Sequence, residues 1–245
     1  MKSPARLLTI GLVTLFLGLL IFFPARVANR WFLPDTVALA GINGSVWSGS
    51  AREASVGGIY VRNLRWSMQP LALLGGAVGY AIEASPQSGS IDAKVKIGFG
   101  GQITLSELTS SLPLQILESP LGMPGLRGTA NAQIVRLVLN DGLPTAAEGV
   151  VEIANLVVPN LYRGSVGGYR AEFFTQDSGV MASVEDTDGV IDVAGRLLLV
   201  ADRNYEFIAQ IAPKNNTPES VRRQMQFLGS ANERGQHELR LEGKL

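Results

Sequence analysis

Seventeen residues near the N-terminus, Leu7 to Phe23 (LLTIGLVTLFLGLLIFF), carry no charge, and Thr9 and Thr14 are their only polar side chains. An apolar helix needs roughly 17–25 residues to cross the hydrocarbon core. In lipid only a helix pairs all of its backbone groups within one segment. The run therefore predicts a transmembrane helix at the short end of the range, and Ala5, Pro24 and Ala25 can lengthen it slightly. A buried core helix does not fit a run that is apolar all round, without a polar stripe, at the extreme N-terminus. A cleaved signal peptide is the serious rival, since Lys2 and Arg6 form a basic n-region. The apolar core of such a peptide is typically about 7–15 residues. A cut after Ala28 would leave Arg26 just upstream, and Ala38-Leu39-Ala40 lies too far beyond Phe23. The expectation is an uncleaved anchor.

Orientation follows from a weak charge bias, with Lys2 and Arg6 before the run and Arg26 and Arg30 after it. A short tail favours N-in. This divides the chain into a cytoplasmic tail (1–6), an anchor (7–23) and a periplasmic β domain (24–245). Trp31, just past the run, sits where aromatic rings settle at a membrane–water interface. Cysteine is absent, which removes disulfides and thiolate chemistry in either compartment.

Lys plus Arg equals Asp plus Glu, 21 each. A nucleic-acid binder would show a basic stripe. The strongest basic cluster is Arg222-Arg223, which reads as the solvated face of a helix, so no nucleic-acid partner is expected.

From Thr36 onward the apolar period changes to two. Ile91, Ala93, Val95, Ile97 and Phe99 alternate with Asp92, Lys94 and Lys96, as on a half-buried antiparallel strand. Ile191 to Leu199, Tyr205 to Ile211 and His237 to Leu245 repeat the pattern. Further strands are expected at 78–83, 102–105, 130–139, 150–157, 168–175 and 180–184. Turns are expected at Ser88-Gly89, Asn140-Asp141-Gly142, Asp177-Ser178-Gly179 and Asp188-Gly189. Such short connections make neighbouring strands antiparallel. In Gly58 to Met68 the apolar phase slips at Arg62-Asn63, which predicts a bulge that bends the strand. The fold class is therefore mainly β: an N-terminal transmembrane helix, then one large curved antiparallel sheet (an open trough or half-barrel) with a short C-terminal helix.

Three further helical segments are expected. Gln69 to Leu74 is one turn opened by Pro70, and Leu105 to Leu117 is a weak helix broken by Pro113. The third begins with Thr217 as N-cap, Pro218 at N1 and Glu219 by the positive helix end, and stops at Gly229. Its residues Val221, Met225 and Leu228 would pack on the sheet.

The chain also carries a resemblance. Gly41 to Ala51 reads G-x-x-G-S-V-W-x-G-x-A, and Leu64 to Leu74 reads L-x-W-x-M-x-P-x-x-L-L. With the anchor followed by Phe23-Pro24-Ala25, Leu112-Pro113-Leu114, the 128–138 strand with its Asp141-Gly142 turn, and Gly149 to Glu152, the sequence resembles protein N of the bacterial type II (general) secretion pathway. The resemblance implies a bitopic inner-membrane protein, an accessory component of the machine that exports folded proteins across the outer membrane. Its implied partners are other subunits of that system and the membrane. The family is distantly similar to AsmA-like proteins, which keeps open an alternative as a lipid-handling or envelope-maintenance protein with lipid as partner. No catalytic residues come with the resemblance.

The residues themselves point the same way. Trp47, on a strand flanked by Gly44 and Gly49, and Trp66 are expected to share one core. The single histidine, His237, lies on an alternating strand without the frame that a triad needs. The acidic turn Glu185, Asp186 and Asp188 could hold Ca²⁺ weakly through oxygen ligands, but turn chemistry explains it better. The pairs Gly57-Gly58, Gly75-Gly76, Gly100-Gly101 and Gly167-Gly168 lack a P-loop lysine and open no helix. The expectation is a non-enzyme with no catalytic residue, metal site or cofactor.

Overall fold

A computed structural model describes residues 4–32, 37–56, 59–86, 89–177, 179–200 and 203–244. The apolar run forms helix α1 (Pro4–Ile21). Ile10, Leu12, Val13, Leu15, Phe16 and Leu19 are exposed, so the described side chains show no buried stripe. The helix stops two residues short of Phe23, because Pro24 forms a β-bridge with Ser45 and the chain turns into α2 (Ala25–Phe32). The apolar part, Leu7 to Ile21, then measures roughly 22 Å at 1.5 Å per residue, against a hydrocarbon core of about 30 Å. Among the described residues no helix is long and apolar enough to cross a membrane. The expected transmembrane helix is thus a shorter apolar helix. The side chain of Trp31 lies outside what the structure describes.

Among the described residues fourteen strands form one antiparallel sheet: β1 (Val37–Ala40), β2 (Asn43–Gly44), β3 (Ser48–Val56), β4 (Ile59–Gln69), β5 (Ala77–Ala84), β6 (Ser90–Gly98) and β7 (Ile103–Pro113), then β8 (Arg127–Asn140), β9 (Leu143–Val157), β10 (Gly167–Gln176), β11 (Gly179–Asp186), β12 (Ile191–Leu199), β13 (Asn204–Pro213) and β14 (His237–Lys244). From β3 onward every strand pairs with the next in sequence. β1 and β2 both pair with β3, and among the described residues β14 pairs only with β13. The sheet is an open meander, not a barrel. The expected Asn140-Asp141-Gly142 turn is present, with φ of 49° at Asp141 and 79° at Gly142, the pair of positive angles that a tight hairpin requires. Ser88 and Ser178, expected in turns, lie outside the described residues, as do Gly57 and Gly58.

Register places one apolar face across the whole sheet. Leu39, Ala54 and Val61 are in line, as are Trp66, Ile82 and Ala93. Further along, Val151, Ala171 and Val184 share that face, followed by Val193, Ile211 and His237. The strands β9 and β11, two apart, approach within 8 Å. A flat sheet would keep them about 9.6 Å apart, so the sheet curls, and burial puts the apolar face on the inside of the curl.

Three of the strands carry a non-glycine residue in the left-handed region, and each marks a bulge. Asn63 (φ 52°) is the one expected from the phase slip. Ser85 donates to the Arg62 carbonyl at 3.0 Å while Arg65 lies opposite Glu83, so three steps on β4 match two on β5. Toward β3 the register is unbroken, and that strand follows the kink. Glu107 (φ 52°) is the extra residue of β7 between Thr109, opposite Asp92, and Ser106, opposite Lys94. Asn155 (φ 53°) is the extra residue of β9 against both neighbours.

One expected helix is a strand. Leu105 to Pro113 belongs to β7, and only Leu114–Leu117 (a 3-10 turn) and α3 (Glu118–Leu121) are helical. Leu105, Leu108 and Leu112 have helical spacing because the bulge at Glu107 adds one residue between two points on the same face. The strand β9 also starts earlier than expected, at Leu143.

Candidate functional site

Buried clusters occupy the two ends of the strand order. At the first end Ala25, Ile42 and Ala51 pack with Leu39, Leu64 and Trp66, and beside them lie Ala54, Val61 and Ala84. This joint ties the N-terminal helices to the sheet. Arg26 donates from Nε to the Ile42 carbonyl at 2.8 Å, and Val46 N–H donates to Phe23 O at 3.0 Å. The Trp66 indole Nε1–H donates to Ser45 O at 3.1 Å.

Trp66 therefore sits in the expected core. Trp47 does not: Gly44 to Gly49 is the hairpin between β2 and β3, and Trp47 is half-buried at its tip, where its carbonyl accepts from Met68 N–H at 2.6 Å. Gly49 explains why the glycines flank it, since a Cβ there would lie 2.4 Å from the Trp66 ring.

At the other end α4 (Glu219–Met225) covers β12 and β13. Val221 and Met225 are buried with Val193, Ala209 and Ile211, and Leu228 packs beside them, as the helical spacing predicts. Gly229 (φ 98°) ends the segment. The expected cap is displaced by one residue. Pro218 is the N-cap, and the buried Thr217 hydroxyl donates to Val190 O and accepts from Lys214 N–H at 2.7 Å. Its bonds thus tie the loop before α4 to the β11–β12 turn.

Asp186 faces this cluster with its side chain only 6% exposed, paired with Lys214 Nζ and accepting from Val193 N–H at 2.9 Å. Burial pushes its carboxyl up, but the bonds from Lys214 and Val193 and the lysine charge outweigh it, and the net shift is downward. Tyr169 lies opposite Asp186 and donates to Val166 O at 3.2 Å. Burial, then the charges of Asp186 and Asp188, push its phenol up to about 12. The acidic turn is divided by this arrangement. Asp186 points inward, Glu185 alternates to the other face, and no three acidic or histidine side chains among the described residues are placed to hold a metal.

His237 Nδ1 is 2.8 Å from Gly229 O, so this nitrogen carries the proton and the ring ties β14 to the end of α4. Gly75-Gly76 ends the 3-10 turn Pro70–Gly75, Gly100-Gly101 lies between β6 and β7, and Gly167-Gly168 opens β10, so none of the three opens a helix.

Between the two clusters the inner face is half-exposed. Val95, Leu105, Val151 and Ile153 line it without a helix above them in the buried clusters. At the margin of the sheet, β14 presents an edge that is free among the described residues, flanked on the outer face by Glu238, Arg240 and Glu242. Arg240 bridges Glu206 and Glu242. Sequence reasoning missed Lys214 and Tyr169. Their partner Asp186 is distant in the chain, and no local spacing links them.

These features define a class: an open β-meander carried behind an apolar helix, with an apolar inner face and a free edge. A family model described as type II secretion system (T2SS), protein N, matches residues 35–240, and the chain belongs to that family. It is 23% identical to the type II secretion system protein N of Aeromonas hydrophila over the full length of both chains. It is 25% identical to that of Vibrio cholerae serotype O1 over 94% of each. No solved structure matches.

Proposed function

We propose that this protein is an accessory component of the type II secretion system, held at the inner membrane by α1, which works through protein–protein contacts made by the β domain in the periplasm. The observation that carries the reading is membership of the protein N family over most of the chain. The apolar, exposed surface of α1 supports attachment to lipid. Its shortness is of a size that a bilayer accommodates by local thinning or by snorkelling of flanking residues such as Lys2 and Arg6. The free edge of β14 offers the partner a strand-addition site. The charges along it limit pairing between like copies. The protein acts without catalysis, cofactor or metal.

Photo-crosslinking from single positions on β14, such as Glu238 and Arg240, in secreting cells tests the reading. Adducts with other secretion-system subunits are expected. Adducts that arise only from positions far from the edge would overturn the edge as the route. Alkaline extraction that releases the intact chain, or a reporter after Leu245 active in the cytoplasm, would remove the anchor and the orientation.

The half-exposed lining of Val95, Leu105, Val151 and Ile153 favours a second reading, in which the curl holds acyl chains. Mass spectrometry of the detergent-purified protein would then find co-purifying lipid, lost on Val95→Asp. Lipid retained unchanged by that variant would sink the second reading alone.

A further inference from the structure

The motif ending at Leu74 has a part that neither cluster absorbs. After Met68 the chain makes the 3-10 turn Pro70–Gly75, and Leu71 and Leu74 project from it 79% and 87% exposed. Phe99, from the β6–β7 turn, is 75% exposed and lies against this turn. Its N–H donates to Gly76 O at 3.2 Å, and a Cβ placed on Gly76 would stand 3.9 Å from its ring. Leu73 in the same turn and Ile97 near the end of β6 are also exposed, at 45% and 44%.

Hydrogen bonds trace its position relative to α1. The exposed Phe22 precedes Phe23, whose carbonyl receives Val46 N–H, and the next residue, Trp47, receives Met68 N–H. Met68 is two residues before Pro70. The patch thus lies at the end of the sheet where the apolar helix joins it. On the opposite half of the same end the exposed turn residues are charged, among them Asp141, Asp177 and Arg203.

We propose that this patch is a membrane-contacting rim: Leu71, Leu74 and Phe99 enter the headgroup–acyl boundary beside α1 and set the tilt of the sheet on the bilayer. The proposal rests on the reading of α1 as the anchor. Lipid is the occupant that suits the position, because the patch lies at the same end of the sheet as an apolar helix whose large side chains at Ile10, Leu12, Leu15, Phe16 and Leu19 are exposed. Apolar and aromatic side chains at a boundary of this kind gain by burial. Exposed Lys96, beside Ile97, suits anionic headgroups, whereas the other half of the end presents charged turn residues (Asp141, Asp177 and Arg203) with no apolar cluster of this kind beside α1. Apolar exposure at the far end of the strands is a contrast, since Phe227 there is 89% exposed but stands past α4, at the opposite end of the meander.

The absence of native cysteine allows a direct test. Full-length protein carrying Leu74→Cys, Phe99→Cys, Leu15→Cys (in α1) or Phe227→Cys is labelled with an environment-sensitive fluorophore and reconstituted in phosphatidylcholine–phosphatidylglycerol vesicles containing spin-labelled lipid. Blue-shifted emission and lipid quenching several times that at Phe227 are expected at both rim positions. Quenching at Leu15 with rim labels that behave like Phe227 would overturn the rim and leave the anchor standing. No quenching at Leu15 would overturn both. Rim labels shielded from lipid and from aqueous iodide alike would show a protein surface covering the patch, and would also overturn the proposal. Leu71→Asp with Leu74→Asp supplies a second arm. The melting temperature should hold while quenching at Phe99 falls to the Phe227 level, and undiminished quenching would count against the rim.

Discussion

At the residue scale the two tryptophans separate sharply. Both are half-buried, but Trp66 packs on the cluster of Ala25, Ile42 and Ala51 and donates a hydrogen bond from its indole, whereas Trp47 sits at the tip of a hairpin. Truncating a fully buried Trp costs about 3–5 kcal/mol. Trp66→Ala should therefore fall toward the low end of that range in urea unfolding, with Trp47→Ala clearly below it. Equal costs would contradict the packing described. Tyr169 gives a pH-dependent expectation. Its phenol pKa is raised from 10 to about 12 in the fold. The folded state then holds the proton more tightly, so its stabilising effect is full below pH 10 and is lost as pH rises through 12. Alkaline melting curves should steepen in that window, and Tyr169→Phe should flatten the step. For Asp186 the sign is opposite. Its lowered carboxyl stabilises above the ordinary aspartate range, and this is lost as pH falls through its folded value. Asp186→Asn should remove that part of the acid limb.

At the element scale the bulges hold the information. Gly149 (φ 148°) lies opposite Ile134, where β8 carries one extra residue against β9. A Cβ there would stand 2.4 Å from Gln133 O. A tolerated glycine-to-alanine replacement stabilises by about 0.4–1 kcal/mol, whereas Gly149→Ala should destabilise by more than that amount and should show as a lower denaturant midpoint. The same irregularities explain which elements the sequence discloses. Alternation such as Ile91 to Phe99 or Ile191 to Leu199 reads directly as strand, because each residue has one face and the faces differ in polarity. The slip at Arg62-Asn63 is legible too, since both sides of it are long enough to show their phase. At Glu107 the slip converts a two-residue period into Leu105, Leu108 and Leu112, which imitates a helix, and Pro113 completes the disguise. The hairpin that carries Trp47 is hidden for another reason: Gly49 serves the approach of Trp66, a contact between strands that no local pattern records. The Asp186, Lys214 and Tyr169 group is illegible for the same cause.

At the scale of the whole molecule, the meander makes the protein nearly one-dimensional. Among the described residues each strand from β4 onward is paired only with its neighbours in sequence, and the two buried ends share no residue. In such an array stability is close to a sum of neighbour terms, so damage at one end should stay there. Val221 is the test position, because it is 1% exposed and seals the C-terminal cluster through α4. Val221→Asp places a charge among Val193, Ala209 and Ile211, where nothing compensates it. Amide exchange followed by mass spectrometry should then accelerate in β12, β13, β14 and α4, while β3, β4 and β5 keep their protection. Uniform acceleration along the chain would mean that the sheet folds as one cooperative block. It would follow that the inner face, half-exposed as it is between the clusters, transmits packing from end to end.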